Sequence, residues 1–187
     1  MTPTLWVWRH PRAHGAQERC IGRTDLPVDR RRAKRLAHRL RDAARRHGLA
    51  REVWTSPLAR SCAVGRWLRR WGWRHRIDDR LAELHFGDWD GRPWSAIGAA
   101  EVDTWVRAFA HHAPGGGESL ERLTARALHF VADHADAPAL LVVGHAGWMQ
   151  ALRWHAEQGR PPHAHEWPAP PRHGELWRLA VLRAAPE

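Results

Sequence analysis

The longest uninterrupted apolar runs of this chain, Leu5–Trp8 and Ala137–Gly144, are only strand-sized, and amphipathic patterns of helical period lie between them. A helix that crosses a bilayer needs about 20 apolar residues in a row, so the runs exclude a helical membrane span and require a water-surrounded core. Strands that are apolar almost throughout are those covered on both faces, as in parallel sheets flanked by helices. Thr4–His10 has this pattern and ends in charge, and Leu140–Gly144 has it most cleanly. Between Asp29 and His47 the positions Ala33, Leu36, Ala37, Leu40, Ala43 and Ala44 recur at three- and four-residue steps, with Gly48 as the stop. Glu52–Ser56 reads as a short strand. Ser56 as N-cap and Pro57 at the first helical position then open a helix to about Arg70. Trp73–Ile77 suggests a third strand, and Pro93–Ile97 and Glu101–His111 two short helices. After a flexible break at Pro114–Gly117, Glu118–His134 and Trp148–Gln158 read as helices. Arg160–Arg172, with five prolines, reads as a loop, and Glu175–Leu182 as a last strand. Strands alternating with helices predict an α/β domain on a mainly parallel sheet with helices on both faces.

The 187 residues fit one domain over 1–187, and a chain of this length buries most of its apolar surface without disulfides or a structural metal. Cys20 and Cys62 have no metal-ligand or redox spacing, which fits reduced thiols. Met1–His10 has no basic leader before its apolar part, so the expected location is the cytoplasm. Monomer and homodimer are equally compatible with the sequence.

The formal charge of +10 points toward anions. Of 30 basic residues, however, 29 are Arg, while Asn and Tyr are absent, a bias that nucleotide composition can also produce. Position is more informative than abundance. In doubly wound sheets, ligands bind beyond the carboxyl ends of strands. Three strand ends carry polar groups: Arg9-His10, Thr55-Ser56 leading to Arg60, and Gly144-His145. The dipeptide Arg-His also occurs at 46–47, 74–75 and 172–173, where it reads as a helix end, an exposed segment and a loop.

Arg9 and Arg60 can each present a planar fork of donors to phosphate oxygens, and His10 and His145 can add ring nitrogens. No Cys or carboxylate stands beside these histidines at metal-ligand spacing, and two guanidinium groups oppose a cation, so no metal or other cofactor is expected. A neutral imidazole held through Nδ1 by a backbone carbonyl presents Nε2 as a nucleophile to phosphorus. Attack there gives a phosphohistidine, which water later hydrolyses.

The segments Leu5–His10, Gly22-Arg23-Thr24-Asp25-Leu26-Pro27, Thr55–Arg60, Glu83–Gly91, Gly116-Gly117-Glu118-Ser119 and Val142–Gly147 together resemble the histidine phosphatase superfamily in its phosphoglycerate-mutase-like branch. They follow the family's order over roughly four-fifths of the chain. The resemblance implies a three-layer sandwich with His10 as nucleophile, Arg9, Arg60 and His145 around the phosphoryl group, and Glu83 as proton donor. It also implies that Gly22, Arg23 and Ala146 lie against the substrate. Read from the residues alone, Asp88 and Asp90 are alternatives to Glu83.

Three positions depart from the family pattern. Pro11 replaces the usual Gly after the nucleophile, Gly144 stands where Ser is common, and Ala146 replaces Gly. Pro11 and the Gly22–Pro27 segment are similar to α-ribazole-5′-phosphate phosphatases. Nothing after Gly91 matches the long insertion of the glycolytic mutases. The expected activity is therefore hydrolysis of a small phosphorylated metabolite such as α-ribazole 5′-phosphate, with a broad-specificity phosphatase or a phosphoglycerate-type mutase as alternatives. Trp89 and Trp94 suit stacking on a flat ring as well as packing. Two further readings are a catalytically silent phospholigand binder and a basic, Trp-rich module for single-stranded nucleic acid. Against the module, Trp6, Trp8, Trp54, Trp105 and Trp148 fall where burial is expected.

Overall fold

In a computed structural model that describes residues 3–180, five strands form one sheet in the order β3-β2-β4-β1-β5. They are β1 (Thr4–Arg9), β2 (Glu52–Thr55), β3 (Arg74–Ile77), β4 (Ala139–Gly144) and β5 (Leu176–Ala180). All neighbours are parallel except β5, which runs antiparallel to β1 on the sheet edge. Residues 181 and 182 of the expected last strand lie outside the described residues.

Alternation along β1 divides the core. Leu5 and Val7 pack with Leu140, Val142, Phe130 and Trp148 on the face covered by α4 (Leu120–Ala132) and α5 (Ala146–Gln158). Trp6 and Trp8 pack on the other face against α1 (Arg30–Arg46) and α2 (Ala59–Arg70). The buried side of α1 consists of the six expected positions, Ala33 to Ala44, and its end is turned by Gly48 at φ +62°. Each large side chain buried this way contributes about 1.5–3 kcal/mol, so the two apolar layers fix the sheet and hence its strand ends. Cys20 and Cys62 are both free and buried.

The start of α2 differs from the expectation. The helix begins at Ala59, and Ser56 does not cap it. Ser56 Oγ is engaged elsewhere, with His145, while the Ala59 N–H donates to Asp25 Oδ1 at 2.6 Å. A carboxylate from the Gly22–Pro27 loop thus takes the capping place, tying that loop to the helix.

Between β3 and α4 the chain makes an excursion of short 3₁₀ turns and one helix, α3 (Ala99–Arg107). The Pro114–Gly117 break is fastened, not flexible. A Cβ on Gly117 would stand 2.1 Å from the His85 carbonyl oxygen, and one on Gly115 would stand 2.3 Å from that of Phe86. Glycine lets two backbones touch here, and the Glu118 N–H donates to the His85 oxygen at 2.7 Å. The 160–172 loop holds one 3₁₀ turn, Ala164–Glu166, braced by the Arg160–Glu166 ion pair at 2.5 Å. Among the described residues no helix is long and apolar enough to cross a membrane.

Candidate active site

The parallel register sets Arg9 beside Gly144 and Thr55 beside Val143, so the carboxyl ends of β1, β2 and β4 meet at one point. His10 follows β1 there. Its N–H donates to the Gly144 oxygen at 3.0 Å, and its own carbonyl lies 3.1 Å from His173 Nδ1. His10 Nδ1 lies 2.7 Å from the Pro11 oxygen. A carbonyl only accepts, so Nδ1 carries the proton and the neutral ring has its lone pair on Nε2. Pro11, which cannot donate from its own nitrogen, instead orients the ring through its carbonyl. Burial, then the Arg60 charge, with a smaller contribution from Arg9, holds the His10 pKa well below the usual imidazole value, although the bond to Pro11 opposes this.

His145 is fully buried, its ring centroid 5.0 Å from that of His10. Its Nε2 shares a 2.7 Å hydrogen bond with Ser56 Oγ, and its Nδ1 is buried with no hydrogen-bond partner among the described residues. Burial first, then Arg60, also holds its pKa well below the usual value. Arg60, only 1% exposed, donates from Nη1 to the Thr24 oxygen at 2.8 Å and from Nη2 to the Gly22 oxygen at 2.5 Å. Arg9 donates from Nη1 to the Pro171 oxygen at 2.7 Å, and its Nε is buried with no partner among the described residues.

The Gly22–Thr24 turn that receives Arg60 is itself held by Asp90. That carboxylate accepts the N–H groups of Gly22, Arg23 and Thr24 and the Thr24 hydroxyl. Burial raises the Asp90 pKa, but these bonds outweigh it and the net shift is downward. Asp90 is therefore a loop organiser with its oxygens committed. Gly22 fits because a Cβ there would stand 2.0 Å from the Leu84 oxygen. Gly22 accepts from Arg60, and neither Gly22 nor Arg23 is among the residues that line the cavity.

Glu83 lines the cavity, whereas Asp88 is exposed and does not. Glu83 Oε1 accepts the Leu84 N–H at 3.0 Å and Oε2 accepts the Gly147 N–H at 3.1 Å, which places the carboxyl at the N-terminus of α5. Its segment is stapled from behind by Arg126, which donates to the Arg80 and Glu83 oxygens and pairs with Glu118 at 2.7 Å. Removing one partner of such a half-sheltered pair leaves the other charge uncompensated, and the segment holding Glu83 loosens.

These groups form the floor of a cavity of about 630 Å³. Arg9, His10, Arg60, Glu83 and Ala146 line it; His145 sits behind the floor. The opposite wall is aromatic: Phe86, Trp94, Trp105, Phe109 and Trp167. Trp94 is 40% exposed and faces the cavity, whereas Trp89 is buried, donates from Nε1 to Glu101 at 3.2 Å and belongs to the packing behind the wall. Two further residues belong to the site: Ser56, noted in the sequence as part of a polar strand end, and His173, which carried no signal. Ser56 was hidden by its resemblance to an N-cap. His173, in an Arg-His pair readable only as a loop, lines the cavity with its ring 5.4 Å from that of His10.

The family model described as the histidine phosphatase superfamily (branch 1) matches residues 5–179. This chain belongs to the histidine phosphatase superfamily. A search of curated protein sequences finds no match. Among solved structures, Bacillus stearothermophilus YhfR is 24% identical with a TM-score of 0.75, over 93% of this chain and 89% of that one. The alpha-ribazole phosphatase from Shigella flexneri is 22% identical with a TM-score of 0.73, over 92% and 88%. The mycobacterial glucosyl-3-phosphoglycerate phosphatase is 26% identical with a TM-score of 0.76, over 93% and 90%. All three share the overall fold of this histidine phosphatase.

Proposed function

We propose that this histidine phosphatase is a metal-independent phosphomonoesterase of the cytoplasm that works through a phosphohistidine on His10. One observation carries the reading: the His10 Nδ1–H bond to the Pro11 oxygen, which leaves Nε2 as the nucleophilic lone pair beside two guanidinium groups. His10 Nε2 attacks phosphorus, the P–O bond to the leaving group breaks, and Glu83 gives that oxygen its proton. Water then attacks the phosphorus of the phosphohistidine and returns a proton to Glu83. Inorganic phosphate leaves and Nε2 regains its lone pair. Arg9 and Arg60 offset charge on the non-bridging oxygens, each having N–H groups beyond those used by the backbone carbonyls. His145 adds Nδ1–H, its tautomer set when the Ser56 hydroxyl donates to Nε2. These roles require no metal, and the two arginines oppose a cation at the same place.

A second structure of the mycobacterial glucosyl-3-phosphoglycerate phosphatase, 27% identical over the aligned part, is a complex with inorganic phosphate, which supports a phosphate ligand for this chain. The aromatic wall supports a small phosphorylated metabolite with a flat or apolar body, for which α-ribazole 5′-phosphate is the named candidate. The test is hydrolysis of p-nitrophenyl phosphate with EDTA present, by wild type and His10→Ala. Wild-type turnover that His10→Ala abolishes is expected. Inactivity of the wild type toward a panel of phosphomonoesters contradicts the reading.

A further inference from the structure

Beside the cavity lies a second, open trough of about 350 Å³, walled by Arg12, Arg32, Arg35 and Arg39 with Pro11 and His173. Arg12 and His173 also line the cavity over His10, so the two spaces share a rim. Arginine is abundant everywhere in this chain, and abundance carries nothing. What sets these four apart is convergence. Positions 32, 35 and 39 recur at helical spacing on one side of α1, and the helix is pressed against the active-site mouth at Gly174. A Cβ on Gly174, at φ +75°, would stand 3.1 Å from Arg39 Nη1 and 3.8 Å from Leu36 Cδ1. The Gly174 N–H in turn donates to the Arg9 oxygen at 2.9 Å, so α1 and the catalytic strand are linked through one residue.

The four charges also lack an ion-pair partner. Among the described residues, no carboxylate lies within ion-pair distance of any of the four. Asp29, at the head of α1, accepts the backbone N–H of Arg32 at 2.9 Å. Other cations of α1 rest on tryptophans instead: Arg30 and Lys34 over Trp67, and Arg41 over Trp71. The charges of Arg12 and Arg32 are felt at the rim, where, after burial and Arg9, they help hold the His173 pKa below its usual value. A concave site with four guanidinium forks and no carboxylate in its lining fits a phosphate group. Its small size and shared rim favour part of a bound substrate over a length of nucleic acid, which needs a groove that follows its backbone.

We propose that the Arg12–Arg32–Arg35–Arg39 trough is a second anion subsite and that the preferred substrates carry a second phosphate, held there while the first is transferred to His10. The kinetic part of the proposal rests on the phosphomonoesterase reading, and the test separates the two. Linear α,ω-diol bisphosphates of increasing chain length are compared with the matching monophosphates, using wild type, Arg35→Gln/Arg39→Gln and the control Arg31→Gln/Arg45→Gln, which removes equal charge from α1 outside the trough. At low salt the wild type is expected to favour a bisphosphate of one chain length at least tenfold in kcat/KM. The trough variant should lose that preference and the control should keep it. A wild type with no preference at any length overturns the proposal, as does equal loss in both variants. If the wild type hydrolyses none of these esters, the phosphomonoesterase reading fails by itself, and titration with inorganic tripolyphosphate decides the subsite. Binding weakened at least tenfold by the trough variant alone supports it, and no binding, or equal weakening, overturns it. Tight salt-dependent binding of a single-stranded oligonucleotide lost in the trough variant, without a bisphosphate preference, also overturns it and assigns the charges to nucleic acid.

Discussion

Floor and wall of the main cavity are held in different ways. The floor sits on strand ends, where direction is imposed by hydrogen bonds: the His10 ring by Pro11, the His10 backbone by Gly144 and His173, and Arg60 by the carbonyls of Gly22 and Thr24. The wall comes from the irregular excursion after β3 and from the 160–172 loop. It is held by edge-on and tilted ring contacts, with Phe86 6.0 Å from Trp105, Trp105 5.2 Å from Phe109 and Phe109 5.6 Å from Trp167. Directional bonds fix an atom to within tenths of an ångström, as a reacting centre needs, while ring packing fixes a shape and tolerates change. The floor therefore sets the chemistry and the wall sets the body of the substrate that is admitted.

The sharpest way to break this division is Arg60→Ala. It removes charge from the floor and frees two carbonyls behind it, and kcat should fall by roughly 10²–10³ in steady-state assays. A fall in affinity alone, with kcat intact, would remove Arg60 from the transition state. Glu83→Gln comes next. It should lower kcat/KM, which reports the step in which the leaving group departs, by about 10² on an alkyl phosphate and much less on p-nitrophenyl phosphate, whose leaving group needs no proton. Equal losses on both esters would assign Glu83 a merely structural part.

The floor also predicts a dependence of stability on pH. His10 and His145 are held neutral in the folded protein, with pKa values well below 6.5. Above 6.5 neither state is protonated. Below it the unfolded chain takes up protons that the folded one does not, so stability falls with pH, by up to about 1.4 kcal/mol per unit for each histidine. Denaturant unfolding between pH 7.5 and 5.5 should show this decline, and His145→Gln should flatten it. An identical slope in wild type and variant would place the uptake elsewhere. The smallest effect belongs to the wall: Trp105→Ala should raise KM for an aryl phosphate about fivefold to tenfold and leave kcat for a small alkyl phosphate within about twofold. Loss of kcat on both would show that the wall positions the floor.

The same contrast explains what could be read from the sequence. Regular elements announce themselves by period, so β1, β4 and the buried face of α1 were legible, and with them Arg9, His10 and His145. Glu83 was legible only through the resemblance, because a carboxyl in an aperiodic segment gains meaning from what staples it, here Arg126 and Glu118 some 35 to 43 residues away. His173 was not legible at all. Its role arises from the antiparallel return of β5 beside β1, and pairing between distant strands leaves no local mark. Ser56 was misassigned because Ser-Pro before a helix satisfies the capping rule equally well, and only the approach of His145 takes the hydroxyl away.

The most direct test of the account is to locate the covalent intermediate. Enzyme mixed with a slowly turned-over phosphomonoester and quenched in alkali should carry one phosphoryl group that is stable to base, labile to acid and mapped by fragmentation mass spectrometry to His10. A label on another residue, or steady turnover by His10→Ala, would contradict it.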